Sequence, residues 1–98
     1  MKILALEKEM PGVTGEQFKI HLKAEAARVW QLYQAGVLRE LYFRADCPTA
    51  VLVLECVDIA EAHQALDSLP LVREGLIAFD LLPLKPYPGF SRLFVSEI

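Results

Sequence analysis

Cysteine and histidine are scarce, with two of each in 98 residues. Cys47 and Cys56 lack a CxxC spacing and have no neighbouring histidine, so neither a zinc site nor a dithiol redox motif is supported. His21 and His63 fall in separate helical patterns, which leaves no recognisable metal site. Basic residues are thin as well: ten Lys and Arg stand against thirteen Asp and Glu, a net charge of −3, and they are scattered singly. A nucleic-acid-binding domain carries a clustered basic patch, so that class is excluded. No apolar run reaches the roughly 20 residues that a membrane-spanning helix needs. The N-terminal MKILALEKEM is too short, and turns acidic too soon, for a secretory signal. With so few cysteines, the expected compartment is the cytoplasm.

What the chain has in excess is apolar residues, 54% of the total against roughly 45–50% in ordinary soluble domains. A chain of this length makes one domain and buries only roughly 60–65% of the surface its unfolded form exposes. The excess is therefore expected to sit partly on a surface that meets a second copy of the chain.

Residues 2–8 alternate as a strand, with Leu4 and Leu6 on one side and Ile3 and Ala5 on the other. Pro11-Gly12 breaks it. Thr14 followed by Gln17 is a capping box, and it predicts a helix from about Gly15 to Ala35, closed by Gly36 in the left-handed conformation that glycine adopts freely. Residues 37–45 and 50–57 are β-rich and joined by a short turn, which suits an antiparallel hairpin. Asp58 and Glu61 form a second capping box, opening a helix through about Ser68. Leu69-Pro70-Leu71 closes that helix, because proline cannot continue its hydrogen-bonded ladder.

The stretch GLIAFDLLPLKPY, residues 75–87, supplies a fourth strand that is apolar on both faces. The order β-α-β-β-α-β is the α+β, ferredoxin-like arrangement: a four-stranded antiparallel sheet with both helices on one face. The third strand, with Val51, Val53 and Val57 opposite Leu52 and Leu54, is also apolar on both sides. The simplest cover for the bare face is the same sheet from a second protomer. Residues 1–88 form the domain. Residues 89–98 form an arm whose Phe90, Leu93, Phe94, Val95 and Ile98 are too apolar for a loose end and are expected to lie across a neighbour.

Several polar residues fall where the pattern asks for apolar ones. At about 100° per residue, Phe18, Leu22, Val29, Leu32 and Tyr33 share the arc of the first helix that must meet the sheet. Glu25 falls inside that arc, with His21 and Arg28 at its edge. A carboxylate buried without a partner is costly, so its pKa rises or it finds a cation. Two readings follow. In one, Glu25 is a general base with His21 or Arg39 shaping its charge or stabilising the product anion; in the other it pairs with Arg39 or Arg28 and tethers helix to sheet. Arg39, in register with Val37, Leu41 and Phe43, points to a mainly apolar face as an ion-pair partner or as a binder of a substrate carboxylate. Tyr42, on the opposite face with Leu38 and Glu40, is a core, interface or substrate-binding residue. Asp80 interrupts an apolar strand face, where it pairs across the sheet or lines a pocket.

Three segments together resemble the muconolactone Δ-isomerase family: SLPLV at residues 68–72, the final strand running to LKPYP, and AGVLRELYFRAD at residues 35–46. The likeness covers most of residues 2–88. It implies a ferredoxin-like α+β barrel that pairs sheet to sheet in a homodimer or larger ring. It also implies a cofactor-free isomerisation, without a metal, of a small unsaturated lactone acid from aromatic catabolism. A base removes a proton beside the conjugated lactone, donors hold the oxyanion that forms, and the proton returns elsewhere. This sequence can furnish those parts from its own residues: Glu25 as the base, Arg39 as the carboxylate or oxyanion partner and His21 as a helper. The alternatives are a non-catalytic small-molecule-binding or assembly module and a cofactor-independent monooxygenase on the same barrel.

Overall fold

Alternation along the four apolar segments sets two different faces of one sheet. A computed structural model defines the fold of residues 1–95. The strands are β1 (Lys2–Glu9), β2 (Leu38–Phe43), β3 (Ala50–Glu55) and β4 (Ile77–Pro83), all antiparallel in the order β2-β3-β1-β4. This is the ferredoxin-like α+β fold. Register puts Ile3 beside Leu54 and Pro83, and Ala5 beside Leu52 and Leu81. These positions face the helices and form the core, in which Ile3, Leu38, Leu54 and Leu69 are the largest fully buried side chains.

The first expected helix is two pieces, α1 (Gly15–Lys19) and α2 (Leu22–Gln34). Between them the His21 amide donates to Phe18 O, three residues back, which tightens the turn and swings the axis. No glycine or proline marks that break. As a result Phe18 leaves the arc of α2 and packs in a second cluster with Leu71, Leu76 and Ile77. Tyr33, expected on the buried arc, stays nearly half exposed and stacks on Trp30 at 5.8 Å. The second expected helix is α3 (Ile59–Asp67), which ends before Leu69-Pro70 as expected, and a further short helix, α4 (Pro70–Arg73), follows it. Pro70 closes α3, but its fixed φ and missing N–H then suit the first position of another turn.

The two halves close in the same way. Gly36, at φ +77°, lets its own amide donate to Tyr33 O and the Val37 amide to Leu32 O. Gly75, at φ +74°, repeats this with Val72 O and with Leu76 donating to Leu71 O. Both are Schellman closures, and both deliver the chain straight into a strand, β2 and β4. At the start of α1, Gln17 Oε1 accepts from the Thr14 amide at 2.8 Å. At the start of α3, Asp58 Oδ1 accepts from the Glu61 amide at 2.9 Å, while Glu61 reaches back to the Val57 amide. Val57 lies past the end of β3 and is exposed. Cys56 belongs to the core.

The other sheet face, with Leu4, Leu6, Val51, Val53 and Leu82, has no helix over it. Beyond β4 the chain runs out as an arm that ends in a 3-10 helix, Gly89–Phe94. Phe90, Leu93, Phe94 and Val95 are all exposed, Phe94 by 85%. Tyr87 and Phe90 pack edge to face at 5.2 Å. The arm stretches the molecule to 65 Å along its longest axis, with a radius of gyration of 16.9 Å against about 13 Å for a compact chain of this length. Ile98, expected in the same apolar arm, lies outside the described residues.

Removing buried groups in this frame has predictable costs. Leu54→Ala, at a fully buried position, is expected to lose about 2–5 kcal/mol. Asp58→Ala, which deletes the α3 cap, should lose about 1 kcal/mol. Urea unfolding followed by circular dichroism measures both, and a Leu54→Ala cost no larger than that of the cap would contradict the placement of the core.

Candidate functional site

Between α2 and the sheet lies a cavity of about 380 Å³, within the range of roughly 300–1,000 Å³ usual for small-molecule pockets. Leu22, Ala26 and Val29 form its helical wall, and Leu41, Phe43 and Leu52 form much of its sheet wall. Leu69, Leu71 and Phe79 close the far end, and the exposed Phe43 marks the rim. Against this apolar lining stand two carboxylates, Glu7 on β1 and Glu25 on α2. Among the described residues the lining contains no Lys, Arg or His.

Glu25 is held by a specific need of the backbone. The cap residue of α4, Leu69, has no side-chain acceptor, and Pro70 has no amide, so Leu71 N–H is the first free donor of that helix. Glu25 Oε1 accepts it at 3.0 Å. Burial raises the Glu25 pKa above the ordinary carboxylate value; the Leu71 amide opposes that rise, the charge of Glu7 adds to it and His21 slightly offsets it. No cation pairs with Glu25 among the described residues. Arg28 donates instead to Ser68 Oγ at 2.8 Å and to Gln31 Oε1 at 3.0 Å. The tether of Glu25 to an arginine, one of the two expected readings, is therefore not what the side chains do.

Glu7 escaped the sequence reading. It has the parity of Ile3 and Ala5, which already marked it as a third helix-facing position, but it sits where the strand turns polar. At that point the β1–β3 ladder ends, and Glu7 Oε1 accepts the Ala50 amide at 3.1 Å. Burial raises its pKa too; the Ala50 amide lowers it and Glu9 adds a smaller upward push. In both glutamates one oxygen is fixed by a backbone amide. The second has no protein hydrogen bond among the described residues, and no buried side-chain oxygen there lacks a partner. Each second oxygen is thus open to the cavity or to solvent.

The other expected site residues disperse. His21 is one turn before Glu25, and its carbonyl accepts the Glu25 amide at 2.8 Å, but it does not line the cavity. Arg39 does not point to the apolar face. A β-bulge between Leu38 and Glu40 makes it the extra residue, so Leu38 turns into the core while Leu41 and Phe43 keep their inward parity. The Arg39 Nε then donates to Gly36 O. Tyr42 borders the cavity, but it is 56% exposed, and its hydroxyl donates to Glu40 Oε1 at 2.8 Å, which raises the phenol pKa. Asp80 pairs across the sheet with Lys8 at 3.0 Å, on the face away from the helices.

Among the described residues no group of three or more His, Cys, Asp or Glu is placed to hold a metal ion, and no helix is long and apolar enough to cross a membrane. Neither a protein-family model nor a curated protein matches the sequence significantly. Among solved structures, the chain is similar to the 5-chloro-2-hydroxyhydroquinone dehydrochlorinase TftG of Burkholderia phenoliruptrix AC1100, in complex with 2,5-dihydroxybenzoquinone. The TM-score is 0.66 at 20% identity, over 91% of this chain and 98% of that one. That likeness establishes the shared fold.

The raised carboxylates make stability depend on pH in a definite direction. A folded-state pKa above the ordinary 4.5 means that folding favours the protonated form. The corresponding stability is fully present below that value and is lost as pH rises through the raised pKa values. Glu7→Gln and Glu25→Gln keep an Oε1 acceptor for the Ala50 and Leu71 amides without the charge. Both variants should resist urea better than the parent at neutral pH, with the gap narrowing toward pH 4.5. Equal pH dependence in parent and variants would show that neither carboxylate is desolvated.

Proposed function

We propose that the chain is a cofactor-free enzyme that moves a proton on a small unsaturated ring compound, as an isomerase of a lactone or related compound of aromatic catabolism. The observation that carries this reading is Glu25: a carboxylate at the wall of an apolar cavity, anchored through one oxygen, with a raised pKa and no cation partner among the described residues. A base is most effective when its pKa lies near the working pH, and burial moves Glu25 toward it. The anchored oxygen fixes the side chain while the other takes a proton from a carbon next to a conjugated carbonyl. The protonated Glu25 then returns the proton to a different carbon of the same ring. The similarity to TftG, a dehydrochlorinase of a hydroxylated ring, supports a catalytic role for such a cavity on this fold.

The Leu71 bond also supports a second reading, a non-catalytic binding module in which Glu25 serves as a remote cap for α4. Glu25→Gln separates the two, since it preserves the cap and removes the base. Ultraviolet-monitored turnover of the uncharged methyl ester of muconolactone should fall by at least about a hundredfold in Glu25→Gln, with the circular dichroism unchanged. Turnover that survives the change would remove Glu25 from the mechanism.

The working form in this proposal is a homo-oligomer in the cytoplasm, where the free Cys47 and Cys56 stay reduced. The uncovered sheet face packs on that of a second copy, and the arm from residue 89 lies across the neighbour. Sedimentation should give a mass of at least twice 11.0 kDa. Val53→Arg, at the centre of the bare face, should return it to the monomer value. A monomeric parent would leave both the face and the arm without this explanation.

A further inference from the structure

The cavity carries two negative groups and no positive one, and this bears on what it binds. Glu7 rises from the sheet wall and Glu25 from the helical wall, near enough that the charge of one resists ionisation of the other. Each has its Oε1 committed to a backbone amide and its Oε2 without a protein hydrogen bond among the described residues. Apolar side chains, among them Val29, Leu52 and Phe79, line the same cavity as the two carboxylates. An anionic substituent placed among them would be desolvated beside like charges with nothing to pair it, a strongly unfavourable arrangement. The arginine that a substrate carboxylate would need is absent from these walls, because the bulge turns Arg39 onto Gly36 O.

We infer that Glu7 and Glu25 form a two-point acceptor site that selects an uncharged ring carrying hydrogen-bond donors, such as hydroxyl groups, on two edges and excludes rings carrying a carboxylate. Glu7 is then a ligand-binding residue, donors on the ring meet the free oxygens of both glutamates, and the apolar walls hold the ring faces. This rests on the reading of the cavity as the ligand site, and it adds a substrate class to it.

A matched pair of probes separates charge from shape: 3,5-dihydroxybenzamide and 3,5-dihydroxybenzoate have the same ring and nearly the same size. Calorimetric titration of the full chain above neutral pH should show the amide binding at least about tenfold more tightly than the benzoate, a difference of about 1.4 kcal/mol. Glu7→Gln and Glu25→Gln should each narrow that ratio, and Glu7→Gln should weaken the amide. The wild-type comparison alone suffices if a variant fails to fold. Benzoate binding as tight as the amide's would overturn the inference, as would no binding of either near 1 mM, roughly −4 kcal/mol. The outcome is independent of proton transfer. Glu25-dependent turnover with failed discrimination overturns the ligand class alone, and discrimination without turnover overturns only the isomerase reading.

Discussion

The hydrogen bond from the Leu71 amide to Glu25 Oε1 joins the two halves of the helical layer. It exists because Leu69-Pro70 begins a helix without a side-chain cap and without a first amide, which leaves the Leu71 amide in need of an acceptor from elsewhere. Meeting it from α2 brings a carboxylate into an apolar setting and holds it by one oxygen. The floor of the cavity follows from the same turn: Leu71 supplies both the amide and a lining side chain. The site's main polar group is therefore fixed by fold geometry and does not depend on a flexible surface contact.

Glu7 obeys the same logic on the sheet side. Where the β1–β3 ladder ends, the Ala50 amide would otherwise lack a strand partner, and Glu7 supplies one. The two glutamates thus each perform a structural service with one oxygen, which offsets part of the cost of burying them. Replacing either with an apolar residue would relieve its desolvation but strand an amide, and an unsatisfied donor costs about 1–3 kcal/mol. Glutamine is the substitution that isolates charge from hydrogen bonding, since it keeps the acceptor.

The strands, their order and the two-faced sheet could be read from the sequence because period-two alternation and turn residues are local signals. Glu25 could also be read, since a charged residue in an apolar helical arc violates the pattern. Three things could not. The break at Ile20-His21 has no glycine or proline to announce it. The short α4 begins at a proline whose more familiar effect is to stop a helix. The bulge after Leu38 inserts one residue, and with a period of two that single insertion reversed the faces assigned to Leu38 and Arg39. Glu7 lay in plain parity with Ile3 and Ala5, but strand ends are commonly polar, so parity alone did not distinguish it from a solvated terminus.

The bulge has the larger chemical consequence. Had the alternation held, Arg39 would have shared the face of Leu41 and Phe43, which line the cavity. With Arg39 on Gly36 O, two carboxylates stand at the wall of an apolar cavity without a counter-ion among the described residues. The cost of that arrangement is visible in both raised pKa values, each led by burial. Stability alone favours an uncharged acceptor such as glutamine at such positions, which keeps the backbone bond without the buried charge. The site keeps a destabilised pair whose unpaired oxygens are oriented by backbone amides, and strained polar groups of this kind are where proteins commonly place binding and proton transfer.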